Sequence, residues 1–337
     1  MRIAVTGSVA TDHLMTFPGR FTEQLLADRL DHVSLSFLVD DLEIRDGGVA
    51  ANIAYGLAAL GHRPVLVAAV GADFAAHERR LVRAGVDLTG VQVSRTRHTA
   101  RFMCTTDRDG NQLASFHTGA MAESREIDLV AVARQHDGLD FVLVGADDPD
   151  AMVRHVRACR RLGVPFAADP AQQLARLDGG RVRELVEGAD HLFTNEYEQG
   201  LLLAKTGWSE QDVLGRVGTW VTTRGERGSL IRRVGEAPLD VPAVPAMVTD
   251  PTGVGDAYRA GYLSALAAGL EPVARARAGS AMASLALAAV GTQTYEVTPH
   301  RVRTLLADAY GPCAADAVAP ALFPAPAVTA AAEGGRA

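Results

Sequence analysis

The chain has 337 residues, 48% of them hydrophobic and 22% charged, with a formal net charge of −7. This length suits one large α/β domain or two average ones, with ample core either way. The acidic balance, without basic runs, argues against a nucleic-acid footprint, and no apolar run reaches the length of a membrane span.

The first apolar run, Ile3-Ala4-Val5-Thr6-Gly7, predicts a strand. The chain turns polar after three apolar residues, too soon for a signal peptide, so a cytoplasmic protein is expected, with neither membrane nor nucleic acid as a partner. Val33 to Val39 alternates small, apolar and polar residues, as half-exposed antiparallel strands do. A helix follows over about 49–60 and a strand over Val65 to Val70. Thr99 to Thr105 repeats the alternation, so segments near 33–45 and 99–116 are expected to form a small β-lid. Helices near 126–137, 149–162, 178–187 and 196–205 then alternate with strands at Phe141 to Gly145, Phe166 to Asp169 and His191 to Thr194. This is the βαβ rhythm of a parallel sheet, whose ligands bind at the carboxyl ends of strands, where Asp12, Asp169 and Asn195 are expected. Two long helices, about 256–269 and 272–290, complete a domain spanning 1–317, and the Ala/Pro-rich stretch from 318 to 337 is expected to be a disordered tail.

Several chemistries are excluded. Lys205 is the only lysine and lacks the preceding glycine of a P-loop, so a Walker A site and a protein-kinase strand lysine are both ruled out. Cys104, Cys159 and Cys313 form no C-x-x-C pair, and no histidines stand at helical metal-ligand spacing.

The most informative stretch is Asp250-Pro251-Thr252-Gly253-Val254-Gly255-Asp256, a glycine turn opening a helix. Amides of Gly253, Val254 and Gly255 can converge on an anion at the positive end of the helix dipole. Asp256 then sits in the first turn, where a carboxylate can accept the proton of an attacking alcohol. Asp256 is also an ordinary capping residue, so the turn alone leaves both readings open.

Gly47-Gly48-Val49-Ala50-Ala51-Asn52 and the Asp250–Asp256 turn resemble the two signatures of the ribokinase-like (PfkB) family of small-molecule kinases. Asn195-Glu196-Tyr197-Glu198 resembles the family's N-x-x-E motif and Thr222 to Gly228 its nucleotide-binding turn. Finer features at Gly7 to His13, Ser34 to Asp41 and Asp169 to Leu177 resemble the bacterial type of adenosine kinase. The resemblance implies a ribokinase-like α/β fold, a mostly parallel central sheet flanked by helices with a β-sheet lid, and transfer of the ATP γ-phosphoryl group to the adenosine 5′-hydroxyl in purine salvage.

The resemblance also implies roles. Asp256 is the base, and Gly253, Val254 and Gly255 form the anion hole. Ser8, Asp12, Gly48 and Asn52 meet the ribose, Phe102 and Phe116 sandwich the purine, and Gln172 and Gln173 read its edge. Asn195, Thr223, Gly225 and Gly228 contact ATP, while Glu198 holds water around Mg²⁺, although Asn195 and Glu198 also read as a capping box. Asp250 and Thr252 offer oxygens, through backbone carbonyls, to a monovalent cation such as K⁺. Arg224 departs from the often apolar residue of the family. A homodimer through apolar lid strands is expected. The rivals are a kinase of the same fold acting on ribose or a phosphorylated hexose, and a catalytically silent nucleoside-binding regulator.

Overall fold

The computed structural model describes residues 1–24 and 36–323. Its strands are β1 Ile3–Thr6, β2 Ala10–Thr16, β3 Asp41–Gly47, β4 Val65–Val70, β5 Asp87–Val93, β6 Ala100–Thr106, β7 Gln112–His117, β8 Phe141–Val144, β9 Phe166–Ala168, β10 His191–Asn195, β11 Thr219–Thr223, β12 Ser229–Arg232 and β13 Leu239–Val241. Helices α1 Phe21–Gln24, α2 Val49–Ala59, α3 Ala75–Ala84, α4 Leu129–Gln135, α5 Pro149–Leu162 and α6 Gly179–Val186 precede α7 Glu196–Thr206, α8 Glu210–Leu214, α9 Val254–Ala267, α10 Pro272–Leu287, α11 Pro299–Tyr310 and α12 Pro312–Leu322.

The main sheet has nine strands in the order β13-β12-β11-β10-β9-β8-β1-β4-β5. All neighbours pair in parallel except β11 with β12 and β12 with β13, which are antiparallel. The continuous apolar runs are explained by burial on both faces: every residue of β4 is buried. Alternate residues divide between two cores. Ala4, Val65, Val67, Val142 and Leu192 pack with Met152, Val182 and Leu202 on one face. Ile3, Val5, Leu66, Leu143 and Phe193 pack with Ile53, Leu57, Tyr258 and Tyr262 on the other. Among the described residues no helix is long and apolar enough to cross a membrane.

The lid is a second sheet, ordered β3-β2-β6-β7. Its edge pairs are antiparallel, but β2 and β6 run parallel, so the lid is mixed and not wholly antiparallel as the alternation suggested. Of the expected lid segment, 33–35 lie outside the described residues, 36–39 are irregular, and the strand begins at Asp41. Asp12 lies within strand β2, not in a turn after β1.

The expected tail also needs correction at its start. Helix α12 runs through Leu322, and Val318, Ala319 and Leu322 are buried against α9, α10 and α11 with Met282, Leu285, Val302 and Leu306. Composition misled because alanine supplies both flexible tracts and closely packed helices. Residues 324–337 lie outside the described residues. Leu322→Ala should cost about 2–4 kcal/mol of stability in urea unfolding, the usual range for a buried leucine that leaves a cavity. An unchanged midpoint would show that α12 contributes nothing to the core.

Candidate active site

The site begins where α9 starts. Gly253 caps the helix at φ 72°, and a Cβ there would meet Thr292 Cγ2 at 2.8 Å. Only glycine fits that left-handed turn against its neighbour, and the turn leaves the first helical amides unpaired. Gly48, opening α2, is equally constrained: at φ 99° its Cβ would lie 2.6 Å from the backbone of Ser8, Val9 and Ala10. Ser8 O and Oγ accept from the amides of Ala50 (3.1 Å) and Val49 (3.2 Å), holding α2 against the end of β1.

These two helix starts converge on one cavity of about 440 Å³. Ser8, Asp12, Gly48, Asn52, Phe102, Phe116, Gln172, Gln173, Thr252, Gly253 and Asp256, all expected at the site, line it together, joined by Met121, Arg176 and Thr292. The volume suits a small molecule of nucleoside size. Gln173 lines the cavity and is buried, and its Oε1 is enclosed without a hydrogen-bond partner.

Phe102 and Phe116 do not form a sandwich. They are cross-strand partners on β6 and β7, side by side on the face of the lid that carries Asp12. Neighbours on one sheet face have Cβ atoms only about 4.5–5.5 Å apart, too close to admit a ring between them, so together they make one wall.

A second cavity of about 570 Å³ lies on the other side of the α9 start. Thr223, Gly225, Gly228, Val254 and Gly255 line it, with Tyr258, Ser280 and Ser284. Arg224 is held by Asp240 and is absent from this lining. The two cavities thus meet at the Gly253–Asp256 turn, Gly253 and Asp256 lining the first and Val254 and Gly255 the second.

Asn195 and Glu198 line neither cavity. They form a complete capping box on α7: Glu198 N donates to Asn195 Oδ1 (2.8 Å) and Asn195 N to Glu198 Oε2 (2.7 Å). Burial and the charge of Asp169 raise the Glu198 pKa, with Arg259 and the Asn195 amide opposing them. Among the described residues no cluster of three or more His, Cys, Asp or Glu could cage a metal ion. A lone carboxylate near a buried acid is nonetheless suitable for receiving a Mg²⁺-bound water, since Mg²⁺ keeps most of its waters and takes its other ligands from phosphates. The side chain of Asp250 is already engaged: its carboxylate accepts from Thr252 N (2.9 Å), Gly291 N (3.0 Å) and Arg45 Nη1 (2.8 Å). Arg45 therefore neutralises the charge that a monovalent cation would meet there.

Burial pushes the Asp256 pKa up to about 7, against an Asn52 Nδ2 donor at 2.8 Å and the charge of Arg259, while Asp169 and Asp12 raise it further. A carboxylate so placed titrates near neutrality, where a general base is most effective. Asp12 is likewise pushed up to about 6, chiefly by burial, with Arg45 opposing and Asp250 and Asp46 adding to it.

Sequence reasoning missed Arg259 and the use Asp169 makes of it. Arg259 Nε and Nη2 donate to Asp169 Oδ2 (2.5 Å) and Oδ1 (2.7 Å), and Nη1 to Gly255 O (3.0 Å). Both side chains are buried; burial opposes the Arg259 charge, and Asp169 outweighs it and raises the pKa. Arg259 stands three residues after Asp256, so the i, i+3 spacing was the available signal. Thr292 and Arg45 had none, being far from the motifs they touch. Asp169→Ala would leave Arg259 charged, buried and unpaired, and should cost about 3–5 kcal/mol in urea unfolding, whereas a joint Asp169→Leu, Arg259→Met replacement should recover most of it. A near-neutral Asp169→Ala would remove the pair from the frame of the site.

The profile of the pfkB family carbohydrate kinases matches residues 6–299. A nucleoside kinase of Methanocaldococcus jannaschii is 30% identical over 251 residues, covering 74% of this chain and 81% of that protein. One of Methanothermobacter thermautotrophicus is 32% identical over 254 residues, covering 74% and 80%. Among solved structures, the Burkholderia thailandensis nucleoside kinase in complex with inosine is similar at a TM-score of 0.81 and 37% identity, covering 92% of this chain and 98% of that one. The glycine nest, the carboxylate beside it and the two cavities meeting there accord with these matches, and the chain belongs to the pfkB carbohydrate kinase family.

Proposed function

We propose that this kinase phosphorylates the 5′-hydroxyl of purine nucleosides with ATP, adenosine foremost, giving AMP and ADP. The observation that carries the reading is the cavity itself: an aromatic wall and the paired glutamines Gln172 and Gln173 line the same space as Asp12, Asn52 and Asp256. Plain sugars need the carboxylates but not the wall. The inosine complex of the Burkholderia thailandensis relative supports a nucleoside as the class of substrate.

In this reading Asp12 and Asn52 hold the ribose hydroxyls, with Gly48 allowing close backbone approach. The Phe102/Phe116 wall stacks on one face of the purine, and the side-chain amides of Gln172 and Gln173 read its edge. Asp256 accepts the 5′-hydroxyl proton as the oxygen attacks, and the Gly253, Val254 and Gly255 amides stabilise the transferred oxygens. ATP lies in the second cavity against Thr223, Gly225 and Gly228. Mg²⁺ bound with ATP would supply charge neutralisation on the phosphates, and Glu198, in the capping box with Asn195, would orient one of its waters. Closure of the lid over the nucleoside favours a water-poor site, so transfer to the nucleoside outcompetes hydrolysis.

The test measures ADP release with adenosine, inosine, guanosine, ribose and fructose 6-phosphate offered in parallel. Adenosine should lead in kcat/KM, with ribose behind by orders of magnitude, because each good stack or edge contact is worth about 1–3 kcal/mol. Asp256→Asn should lower kcat by roughly 10²–10⁴. Only ionised Asp256 accepts a proton, so kcat/KM should rise with pH through about 7 in the wild type. Faster turnover of ribose or fructose 6-phosphate would overturn the substrate, and no ADP release with any of the five would leave a silent regulator as the better reading.

The lid face opposite the cavity carries the exposed side chains of Leu42, Ile44 and Leu113, which share one parity across β3, β2, β6 and β7. We read this apolar face as the contact with a second copy of the chain. Sedimentation equilibrium should return twice the chain mass, and Ile44→Glu should return the monomer; a wild-type monomer at micromolar concentration would remove the dimer.

A further inference from the structure

Asn52 donates through Nδ2 to Asp256 Oδ2 (2.8 Å), and its Oδ1 accepts from Gln293 Nε2 (2.9 Å). Gln293 Oε1 in turn lies 3.0 Å from His77 Nε2. Asn52 and His77 are buried, and neither Gln293 nor His77 lines the nucleoside cavity. We infer that Gln293 and His77 are positioning residues that fix the polarity of this chain, so that Asp256 always receives an N–H and remains a proton acceptor. The inference rests on the reading of Asp256 as the base.

A carboxamide is nearly symmetric in shape, so only its donor and acceptor partners decide which end faces which neighbour. An ionised carboxylate accepts only; facing it, Asn52 must present Nδ2, which turns Oδ1 towards Gln293. Gln293 must then present Nε2, which turns Oε1 towards His77, and His77 must donate from Nε2. The opposite polarity would set Asn52 Oδ1 against Asp256, a placement that stabilises only the protonated acid and removes the base. His77 thus terminates the chain with a fixed donor.

The surroundings of His77 keep it in that role. Its Nδ1 has no hydrogen-bond partner, and Asp46 Oδ1, at 3.8 Å, is beyond hydrogen-bond reach. Asp46 is itself paired with Arg80 of α3, so its charge is already met. Phe74 packs edge-on against the ring at 5.4 Å, and burial holds the imidazole below its usual pKa, with Asp46 and Gln293 opposing and Arg80 adding to the shift. Around Asp256 the other charges are Arg259 of α9, Asp169 beyond β9 and Asp12 of the lid, none of which donates to it in place of Asn52. The outer end of the chain is anchored from a second side: Thr292 Oγ1 donates to Asp46 O (2.9 Å), and Thr292 also lines the nucleoside cavity.

The experiment is the pH dependence of kcat/KM with adenosine for the full chain and four variants. Asp256→Asn establishes which limb belongs to the base: if the wild type shows an acid limb that Asp256→Asn abolishes, the base reading stands whether or not Gln293 and His77 set the polarity. Gln293→Glu removes the donor to Asn52 Oδ1 and forces the opposite polarity, so its acid limb should move up by about one pH unit, lowering the ratio of kcat/KM at pH 6 to that at pH 8.5 about tenfold below the wild-type ratio. His77→Phe, which loses the donor, should move the limb in the same direction, and His77→Gln, whose Nε2 can take the place of the imidazole Nε2, should return it to the wild-type position. A loss of packing alone would lower the rate at all pH values without moving the limb. An unmoved limb in Gln293→Glu overturns the inference, as does a His77→Gln limb displaced as far as that of His77→Phe. Should His77→Phe not fold, Gln293→Glu and His77→Gln decide the matter between them.

Discussion

A guanidinium that leaves water must find its charge matched, and in this chain Arg259 finds it at Asp169. Breaking such a buried pair strands a charge, so the two residues keep together whatever they are attached to. Arg259 is attached to the first turns of α9 and also holds Gly255 O; Asp169 stands where β9 ends and the Gln172/Gln173 loop begins. The pair therefore ties the amide nest to the loop on the far wall of the nucleoside cavity. Both cavities take their shape from that tie, since they share the α9 turn.

The lid is joined to the same frame by strand alternation and by ion pairs, those of Arg45 with Asp250 and of Asp46 with Arg80 among them. Because side chains change face at every residue, Asp12, Phe102 and Phe116 fall together on the cavity side, while Leu42, Ile44 and Leu113 fall on the outside. Arg45, opposite Asp12 in the register, reaches Asp250 at the start of the glycine turn. Lid and turn are thus coupled through a partly exposed contact, weaker than the buried Arg259 pair and easier to open. The order of strengths suits a site that opens at its lid without loosening the glycine turn.

Neutral-range titration at Asp256 follows from the same packing. Burial chiefly lifts the carboxylate, with Asp169 and Asp12 adding to it, and the Asn52 donor and the charge of Arg259 moderate the lift. The amide chain from Asn52 through Gln293 to His77 gives that donor its direction.

Much of this was legible in the residues in order. The βαβ rhythm, the glycine turn at 250–256, the Gly47-Gly48 start of α2 and the capping box at Asn195 each occupy a few consecutive positions, and their backbone requirements are local. The cavity brings together the nucleoside contacts expected from those motifs. What was not legible depends on pairs distant in sequence. Phe102 and Phe116 looked like two sides of a sandwich until the β6–β7 register set them side by side. The parallel β2–β6 pair, the burial of α12 under the α9–α11 layer and the capture of Asp250 by Arg45 have no local signature. By itself, then, the sequence determined the order of the elements, the glycine turn and the position of its carboxylate, because glycine geometry and helix starts are properties of neighbouring residues. Tertiary structure alone decided which face each lid residue shows, which charges are already matched and what holds Asn52 in orientation, because those depend on register and on contacts between residues as much as 200 positions or more apart.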